Sequence, residues 1–155
     1  MYEENDGIAK KVTQTVEGDA DYPCFEGTYF SGGGGLSSSI EDYAKFLQML
    51  LNGGTYNGNR LLGKKTIELI LTNQLANIVS ETRQFGLGFE IETAKTDYLT
   101  PLSIGSFSWA GMFNTSYWAD PKENLVALIY TQIYPTTNGK VEHKFRSLVY
   151  QAIID

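Results

Sequence analysis

The sequence is poor in the two residue types that most often carry metal or nucleophile chemistry: it has one cysteine, Cys24, and one histidine, His143. A single cysteine excludes an intrachain disulfide and a CxxC zinc site, and it is typical of a small buried side chain. His143 lies between Glu142 and Lys144, which favours a surface or boundary residue over a general base. We therefore expect no metal and no other cofactor.

Positive charge and long apolar runs are also scarce. The 155 residues hold 12 Lys and Arg against 18 Asp and Glu, which gives a net charge of −6 and a pI of about 4.8. Nucleic-acid duplexes are bound by basic faces, so nucleic acid is not an expected partner. No apolar run approaches the roughly 20 residues of a membrane span. The acidic N-terminus is no signal peptide, and we expect any leader to lie upstream of it.

Motifs that would place a nucleophile beside a base are missing. No serine stands in a GxSxG motif, and none is followed by Lys three residues later. The four glycines at 32–35 lack the Lys-Ser/Thr of a phosphate-binding loop, and we interpret them as a tight passage between packed elements. The residues alone therefore name no catalytic pair.

What is present is enough for a folded core, with 42% hydrophobic and 13% aromatic residues. A helical period over Ile40–Leu51 predicts a helix with Ser38 as N-cap, Glu41 completing a capping box, and an end at Asn52-Gly53-Gly54. A second helix is predicted from about Lys64 to Asn73.

Beyond the second helix, the spacing of apolar residues changes from a helical period to the alternation of a strand. Alternation over 85–91 predicts one half-buried strand, and the apolar run Leu125–Ile133 predicts a strand buried on both faces. An amphipathic helix is predicted over Val141–Ile154, and its expected inward residues are Val141, Phe145, Leu148, Val149, Ala152 and Ile153. Near the N-terminus, Ile8–Val16 is interpreted as an edge strand and Asp19–Cys24 as a loop. The fold class is therefore α+β, an antiparallel sheet covered by a C-terminal helix, with a helical segment before it.

One segment, Gly105–Pro121, combines aromatic with small residues. Ala110 and Gly111 interrupt its strand pattern, and a glycine in a strand often lets a ligand or another backbone approach closely. A β-bulge beside an aromatic hairpin explains the same pattern, and the residues leave both interpretations open.

Three blocks in consistent order resemble a known family. Residues 31–43 resemble its GGGGLvST-x-x-D entry into a helix, and residues 49–62 resemble its mLLNGG…G-x-rLL linker. Residues 85–89 with 109–121 resemble its G-x-G…W-G-G…D-P sheet region. By these motifs the chain resembles the C-terminal part of the serine β-lactamase and penicillin-binding-protein-like family, in the branch of class C-type relatives, family VIII-type esterases and D-amino-acid peptidases.

The resemblance implies roles for four residues. Trp109-Ala110-Gly111 aligns with the third motif of the family (KTG, HTG or WGG), which lies on a strand beside the catalytic serine. The backbone N–H of Met112 would be one of two oxyanion-hole donors, each worth roughly 3–4 kcal/mol to acyl transfer. Trp109 would line the acyl pocket. Ala110 replaces the usual Gly or Thr, and Asn114 stands where Gly is common.

The resemblance also implies that part of the fold is absent. The family's SxxK and Tyr-x-Asn motifs belong to its N-terminal portion, and neither occurs here. We therefore expect an incomplete β-lactamase/transpeptidase-like fold, with an N-terminal segment (1–30), a helical segment (31–80) and a sheet-and-helix segment (81–155). The parent would hydrolyse an ester, amide, peptide or β-lactam, while the 155 residues alone would be inactive. Trp109 in place of Lys or His removes the cation that would hold a β-lactam carboxylate, which favours an esterase or peptidase.

Two further expectations remain open. The chain could instead be a non-catalytic module that binds a ligand or partner through the aromatic hairpin of Phe107, Trp109, Tyr117 and Trp118. A sheet edge or apolar face left uncovered would also favour a homo-oligomer.

Overall fold

The computed structural model describes residues 2–5, 7–12, 14–15, 18–19, 29–75, 78, 82–134 and 140–154. In these ranges the helices are α1 (Ile40–Leu51), α2 (Lys64–Ile70) and α3 (Lys140–Gln151), with a 3₁₀ turn at Asp97–Leu99. The strands are β1 (Tyr2–Asn5), β2 (Ile8–Lys11), β3 (Gln14–Thr15), β4 (Gly18–Asp19), β5 (Thr55–Tyr56), β6 (Asn59–Arg60), β7 (Gln84–Phe85), β8 (Glu90–Ile91), β9 (Phe107–Gly111), β10 (Thr115–Asp120) and β11 (Leu125–Ile129). The interpretation of Cys24 lies outside the described residues, as does most of the predicted loop Asp19–Cys24.

One antiparallel sheet organises the chain, with the strand order β11-β10-β9-β8-β7. Helix α1 packs against β10 and β11, while α3 contacts β11. Three short antiparallel strand pairs, β1–β2, β3–β4 and β5–β6, stand outside this sheet. The predicted α+β class, with an antiparallel sheet and a C-terminal helix, is confirmed.

The larger core cluster lies between α1 and the sheet. Leu47 and Leu50 of α1 are almost fully buried against Phe107 and Ala119 of the sheet. Helix α2 contributes Ile67 to the same cluster. This packing fixes the start of β9 rigidly beneath the helices, because neighbouring buried side chains leave little room for displacement.

A second cluster lies under α3. Trp118 is fully buried with Leu102 and Ala127, and Phe145, Val149 and Tyr150 of α3 pack against them. Phe145 and Val149 were predicted to face inward and do so. The other four residues predicted to face inward, Val141, Leu148, Ala152 and Ile153, are exposed, and Tyr150 packs into the cluster instead.

Helix α1 has the predicted extent but a different N-cap. Ser39, not Ser38, is the cap residue: the Asp42 N–H donates to its Oγ at 3.1 Å, and its hydroxyl donates to Asp42 Oδ2 at 2.9 Å. Ser38 and Ser39 are each followed by an acid three residues later, so the capping signal was ambiguous by one residue.

The predicted strand over 85–91 is wrong as a single element. Its ends form the antiparallel pair β7–β8, joined by a turn in which the Gly86 N–H donates to Phe89 O at 2.8 Å. Gly88 has a positive φ of 90°, and Leu87 is 52% exposed. Glycine adopts a positive φ without steric strain, so a turn at Gly88 costs less conformational free energy than it would with another residue.

Helix α2 and strand β11 are shorter than predicted, and the glycine segment at 32–34 differs from its predicted role. Helix α2 ends at Ile70 rather than Asn73, and β11 ends at Ile129 and is mostly half-buried because it is an outermost strand. The glycines at 32–34 meet no neighbouring atom where a Cβ would stand, so they form an exposed turn and not a passage between packed elements.

Candidate functional site

The segment picked out by the sequence forms the end of β9 and the turn that follows it. Phe107 at the start of β9 is fully buried, whereas Trp109, Ala110 and Gly111 are exposed. Opposite them on β10 stand Tyr117, Ser116 and Thr115. The strand therefore leaves the core within a few residues and presents its last three to solvent.

The register shows why this end is accessible. Strand β8 pairs with β9 only at Phe107 and Ser108, so in the part of the chain that the structure describes no strand flanks the rest of β9 on that side. Gly111 C=O accepts from the Asn114 N–H at 3.0 Å, which turns the Gly111 backbone toward β10. By the alternation of a strand, the backbone groups of Ala110 point to the open side.

Met112 follows directly, at the second position of this turn. Its side chain is 52% exposed, and among the described residues its N–H donates no hydrogen bond. A backbone N–H without a protein partner, in the turn that follows a strand, is the type of donor that can stabilise an oxyanion.

Aromatic rings support Trp109. Phe85 meets its ring edge-on, at a centroid distance of 5.2 Å, and Tyr117 is its cross-strand partner. The ring of Tyr117 in turn packs against the ring of Tyr43 of α1, and the two ring centroids are 4.6 Å apart. Burial raises the pKa of Tyr117 above its ordinary value, and the neighbouring Tyr43 hydroxyl raises it further, so Tyr117 stays neutral. Trp109 itself is 46% exposed.

Sequence reasoning missed Phe85 and Tyr43 as neighbours of this site. Tyr43 belongs to the apolar stripe of α1, where its period matches that of ordinary core residues. Phe85 was assigned to a strand that does not exist as one element. Only the pairing of β7, β8 and β9 brings Phe85 to Trp109.

The pattern at Ala110-Gly111 is not a bulge. Pairing of 107–111 with 115–119 runs without an extra residue. A Cβ on Gly111 would stand 2.3 Å from Thr115 Oγ1, so this glycine accommodates the opposite side chain. Asn114, with a positive φ of 61°, closes the turn, a conformation that asparagine tolerates better than most residues.

The end of β9 carries no ionisable side chain from Trp109 to Met112. On neighbouring β8, Glu90 is held by Arg83 in a two-point ion pair, with Nε–Oε1 at 2.5 Å and Nη2–Oε2 at 2.8 Å. The site is therefore apolar, with backbone groups as its polar component.

Two residues suggested for a ligand-binding hairpin do not belong to this surface. Phe107 and Trp118 are both fully buried, one in each core cluster. A shallow cleft of about 370 Å³ between α1 and α2 reaches Phe107 and Pro121, so it lies toward the other end of β9.

Comparisons with known proteins place this geometry in context. A profile of the family described as Beta-lactamase matches residues 1–151. Protein Rv1367c of Mycobacterium tuberculosis is 34% identical over 121 residues, which cover 70% of this chain and 30% of that protein.

Solved structures share the fold. EstCE1, a hydrolase with promiscuous acyltransferase activity, superposes with a TM-score of 0.74 at 18% identity, over 96% of this chain and 42% of its own. A variant of simvastatin synthase (LovD) from Aspergillus terreus superposes with a TM-score of 0.70 at 24% identity. The match covers 97% of this chain and 41% of the synthase chain. The chain thus spans less than half the length of these proteins.

The described residues lack two features. They contain no helix long and apolar enough to cross a membrane, and no group of three or more His, Cys, Asp or Glu side chains that could hold a metal ion.

Proposed function

The chain belongs to the Beta-lactamase family, and from that premise we propose that it is the C-terminal part of a serine hydrolase that works through an acyl-enzyme. The observation that carries the proposal is the N–H of Met112 at the open end of β9, which has no hydrogen-bond partner in the described part of the chain and lies beside half-exposed Trp109. A hydrolase with acyltransferase activity among the structural neighbours supports acyl transfer as the reaction class.

In the proposed reaction, the N–H of Met112 donates to the substrate carbonyl oxygen as negative charge develops on it. The nucleophilic serine, its lysine base and a second N–H donor come from a segment outside these 155 residues, because no serine here has a lysine three residues later. Residues 31–80 would border the helical region of the complete fold and residues 81–155 its sheet region. The 155-residue chain alone is expected to be inactive.

The apolar site favours an uncharged acyl group. Trp109 offers an indole face where a lysine or histidine would attract a carboxylate, and no ionisable side chain lies between Trp109 and Met112. A β-lactam carboxylate would find no cation there, whereas the acyl part of an ester could pack on the ring. We therefore propose an ester or peptide substrate in preference to a β-lactam.

A second candidate function is a non-catalytic module that binds a small ligand. The half-exposed ring of Trp109, held edge-on by Phe85, is the observation that favours it. Ligand binding by the 155-residue chain alone, seen as a change in Trp109 fluorescence that Trp109→Phe abolishes, would favour the module.

The test of the hydrolase begins with the coding sequence upstream of Met1. If it holds an in-frame Ser-x-x-Lys, the longer protein should hydrolyse p-nitrophenyl esters while the 155-residue chain does not. Met112→Pro then tests the donor, because proline removes the N–H yet suits the second position of this turn. The expected loss in kcat is about 10²–10³-fold, typical of removing one oxyanion donor.

Met112→Leu is the matched control, since it changes the side chain and keeps the N–H, and its kcat should stay close to that of the parent. Hydrolysis by the 155-residue chain would refute the claim of a separate nucleophile segment. Unchanged kcat in Met112→Pro would remove Met112 from the mechanism. Absence of Ser-x-x-Lys upstream would leave the binding module as the better explanation.

A further inference from the structure

The turn that follows β9 is anchored by a residue that lies far away in sequence. Thr131, two positions beyond the end of β11, is half-buried, and its Oγ1 lies 3.0 Å from Phe113 O and 2.9 Å from Asn114 O. A hydroxyl carries one hydrogen, so the two carbonyl oxygens share it. The Ile133 N–H also donates to Phe113 O, at 3.3 Å. The second half of the turn is therefore fixed to the segment after β11.

That segment is itself held on its other side. Gln132 O accepts from the Tyr2 N–H at 2.6 Å, and the Tyr134 N–H donates to Tyr2 O at 2.7 Å. The ring of Tyr134 also meets the ring of Phe113 nearly at a right angle, with the two centroids 6.1 Å apart. Because hydrogen bonds hold the segment on both sides, the hydroxyl of Thr131 is a fixed point for the turn.

Two planar peptide groups connect Thr131 with the N–H of Met112. In a trans peptide the C=O and the N–H point in opposite directions. Because Phe113 C=O points to Thr131, the N–H of Asn114 points away from it, and this N–H donates to Gly111 O at 3.0 Å. Gly111 C=O is thereby drawn into the turn, and the Met112 N–H of the same peptide points out of it. Each hydrogen bond in such a chain also polarises the next one, which strengthens Met112 as a donor.

The turn depends on this anchor because its own residues leave it adjustable. Gly111 has no side chain, and both Gly111 and Met112 are exposed. Asn114 has a positive φ of 61°, a conformation less favourable for asparagine than for glycine. An oxyanion donor must be held within about 0.5 Å of its productive position. Such precision requires a constraint from outside the turn.

We propose that Thr131 is a positioning residue for the oxyanion donor. Its hydroxyl holds the carbonyl groups of Phe113 and Asn114, and through them it fixes the direction of the Met112 N–H toward the substrate carbonyl oxygen. Thr131 acts through the turn and not on the substrate. The inference rests on the proposed function, because it requires the Met112 N–H to act as an oxyanion donor.

Thr131→Val in the longer hydrolase tests the role of the hydroxyl. Valine keeps the branched shape and the backbone N–H and removes the hydroxyl donor. We expect kcat to fall by about 10–100-fold, the loss that a misplacement of about 1 Å can cause. KM should change little, because a donor to developing charge acts mainly in the transition state. Thr131→Ser, the matched control, keeps the hydroxyl and should retain most of the kcat.

A double variant shows whether Thr131 acts through Met112. Met112→Pro removes the N–H, so the addition of Thr131→Val should cost little further kcat. Losses that multiply would show that Thr131 acts elsewhere and would overturn the inference. Full activity of Thr131→Val, or equal losses in Thr131→Val and Thr131→Ser, would overturn it as well. In those cases a loss in Met112→Pro would leave the proposed function standing, whereas unchanged kcat in Met112→Pro would remove the donor on which both depend.

Hydrogen exchange on the 155-residue chain measures the anchor without activity. The Asn114 amide should exchange about tenfold faster in Thr131→Val than in the unaltered chain, because the peptide that carries it loses a hydrogen bond. The amide of Tyr117, which pairs with Trp109 further along the hairpin, should keep its protection. Thr131→Ala also removes the hydroxyl and replaces Thr131→Val if that variant does not fold. Unchanged exchange at Asn114 would overturn the inference, and so would equally faster exchange at both amides, which would mean a general loosening of the hairpin.

Discussion

At the scale of single residues, Asp120 connects three parts of the chain. Its carboxylate is fully buried and accepts from the Tyr150 hydroxyl at 2.6 Å and from the Ser103 N–H at 3.0 Å. The N–H groups of Lys122 and Glu123 donate to the other oxygen, at 3.0 and 3.2 Å. One side chain thereby joins α3, the segment before β9 and the turn after β10. The sequence indicated only a turn here.

Asp120→Asn is expected to lower the free energy of unfolding by about 2–4 kcal/mol, because an amide would direct N–H groups at donors inside a buried site. Tyr150→Phe, which removes one donor, should cost less, about 2 kcal/mol. Urea unfolding measures both. Asp97→Asn, at an exposed position in the 3₁₀ turn, is the control and should change stability by less than about 0.5 kcal/mol.

The same carboxylate predicts a pH dependence. Burial alone would raise the pKa of Asp120, but hydrogen bonds from Tyr150, Ser103 and Glu123 outweigh it and hold the pKa below the ordinary 3.8. A carboxyl group with a lowered folded-state pKa stabilises the fold above its unfolded-state pKa and loses that contribution as pH falls further. The stability difference between the parent and Asp120→Asn should therefore be constant near neutral pH and shrink below about pH 4. A difference that grows on acidification would contradict the assigned hydrogen bonds.

At the scale of elements, the helical periods predicted helices correctly, whereas the strand period over 85–91 belongs to two paired strands and the ends of α2 and β11 were placed too far along the chain. Helix α1 matches its predicted extent because its apolar stripe and its glycine stop signal agree. The N-cap was misplaced by one residue, since three consecutive serines precede the helix and two of them have acids at the right spacing.

The N-cap assignment can be measured directly. Ser39→Ala should lower the free energy of unfolding by about 1 kcal/mol, the usual cost of losing a side-chain cap. Ser38→Ala should have little effect, because within the described residues the Ser38 hydroxyl donates to its neighbour's carbonyl at 3.2 Å and does not cap the helix. Equal losses, or the reverse order, in thermal or urea unfolding would show that the helix begins one residue earlier than the structure places it.

At the scale of the whole molecule, the two core clusters share one strand. Tyr117 and Ala119 of β10 pack in or against the cluster beside α1, whereas Trp118 lies in the cluster under α3. Because β10 is common to both, disruption of either cluster removes support from the other. We expect the chain to unfold as one cooperative unit.

That expectation has a paired test. Leu47→Ala, on the α1 side, should cost about 2–5 kcal/mol, and Phe145→Ala, on the α3 side, should cost about 2 kcal/mol or more. In both variants, urea transitions followed by far-UV circular dichroism and by tryptophan fluorescence should coincide. Two separated transitions, with Phe145→Ala shifting only one of them, would show that α3 and its cluster unfold independently.

The fold class, the main helices and the family could be predicted from the chain, because the family's motifs follow one another in sequence order. The sequence also identified Trp109 to Met112 as the segment of interest, with roles that remain predictions. Local signals sufficed for these features because a period, a cap or a glycine run depends on residues close together in sequence.

Which features share a surface became known from the contacts between segments that are distant in sequence. Phe85 reaches Trp109 through two strand pairings, and Asp120 meets Tyr150 across thirty positions of sequence. Phe107 and Trp118 looked as suitable for ligand contact as Trp109, and burial alone separated them. Such distinctions depend on contacts between distant segments, and neither composition nor period encodes which side of a sheet a neighbouring element will cover.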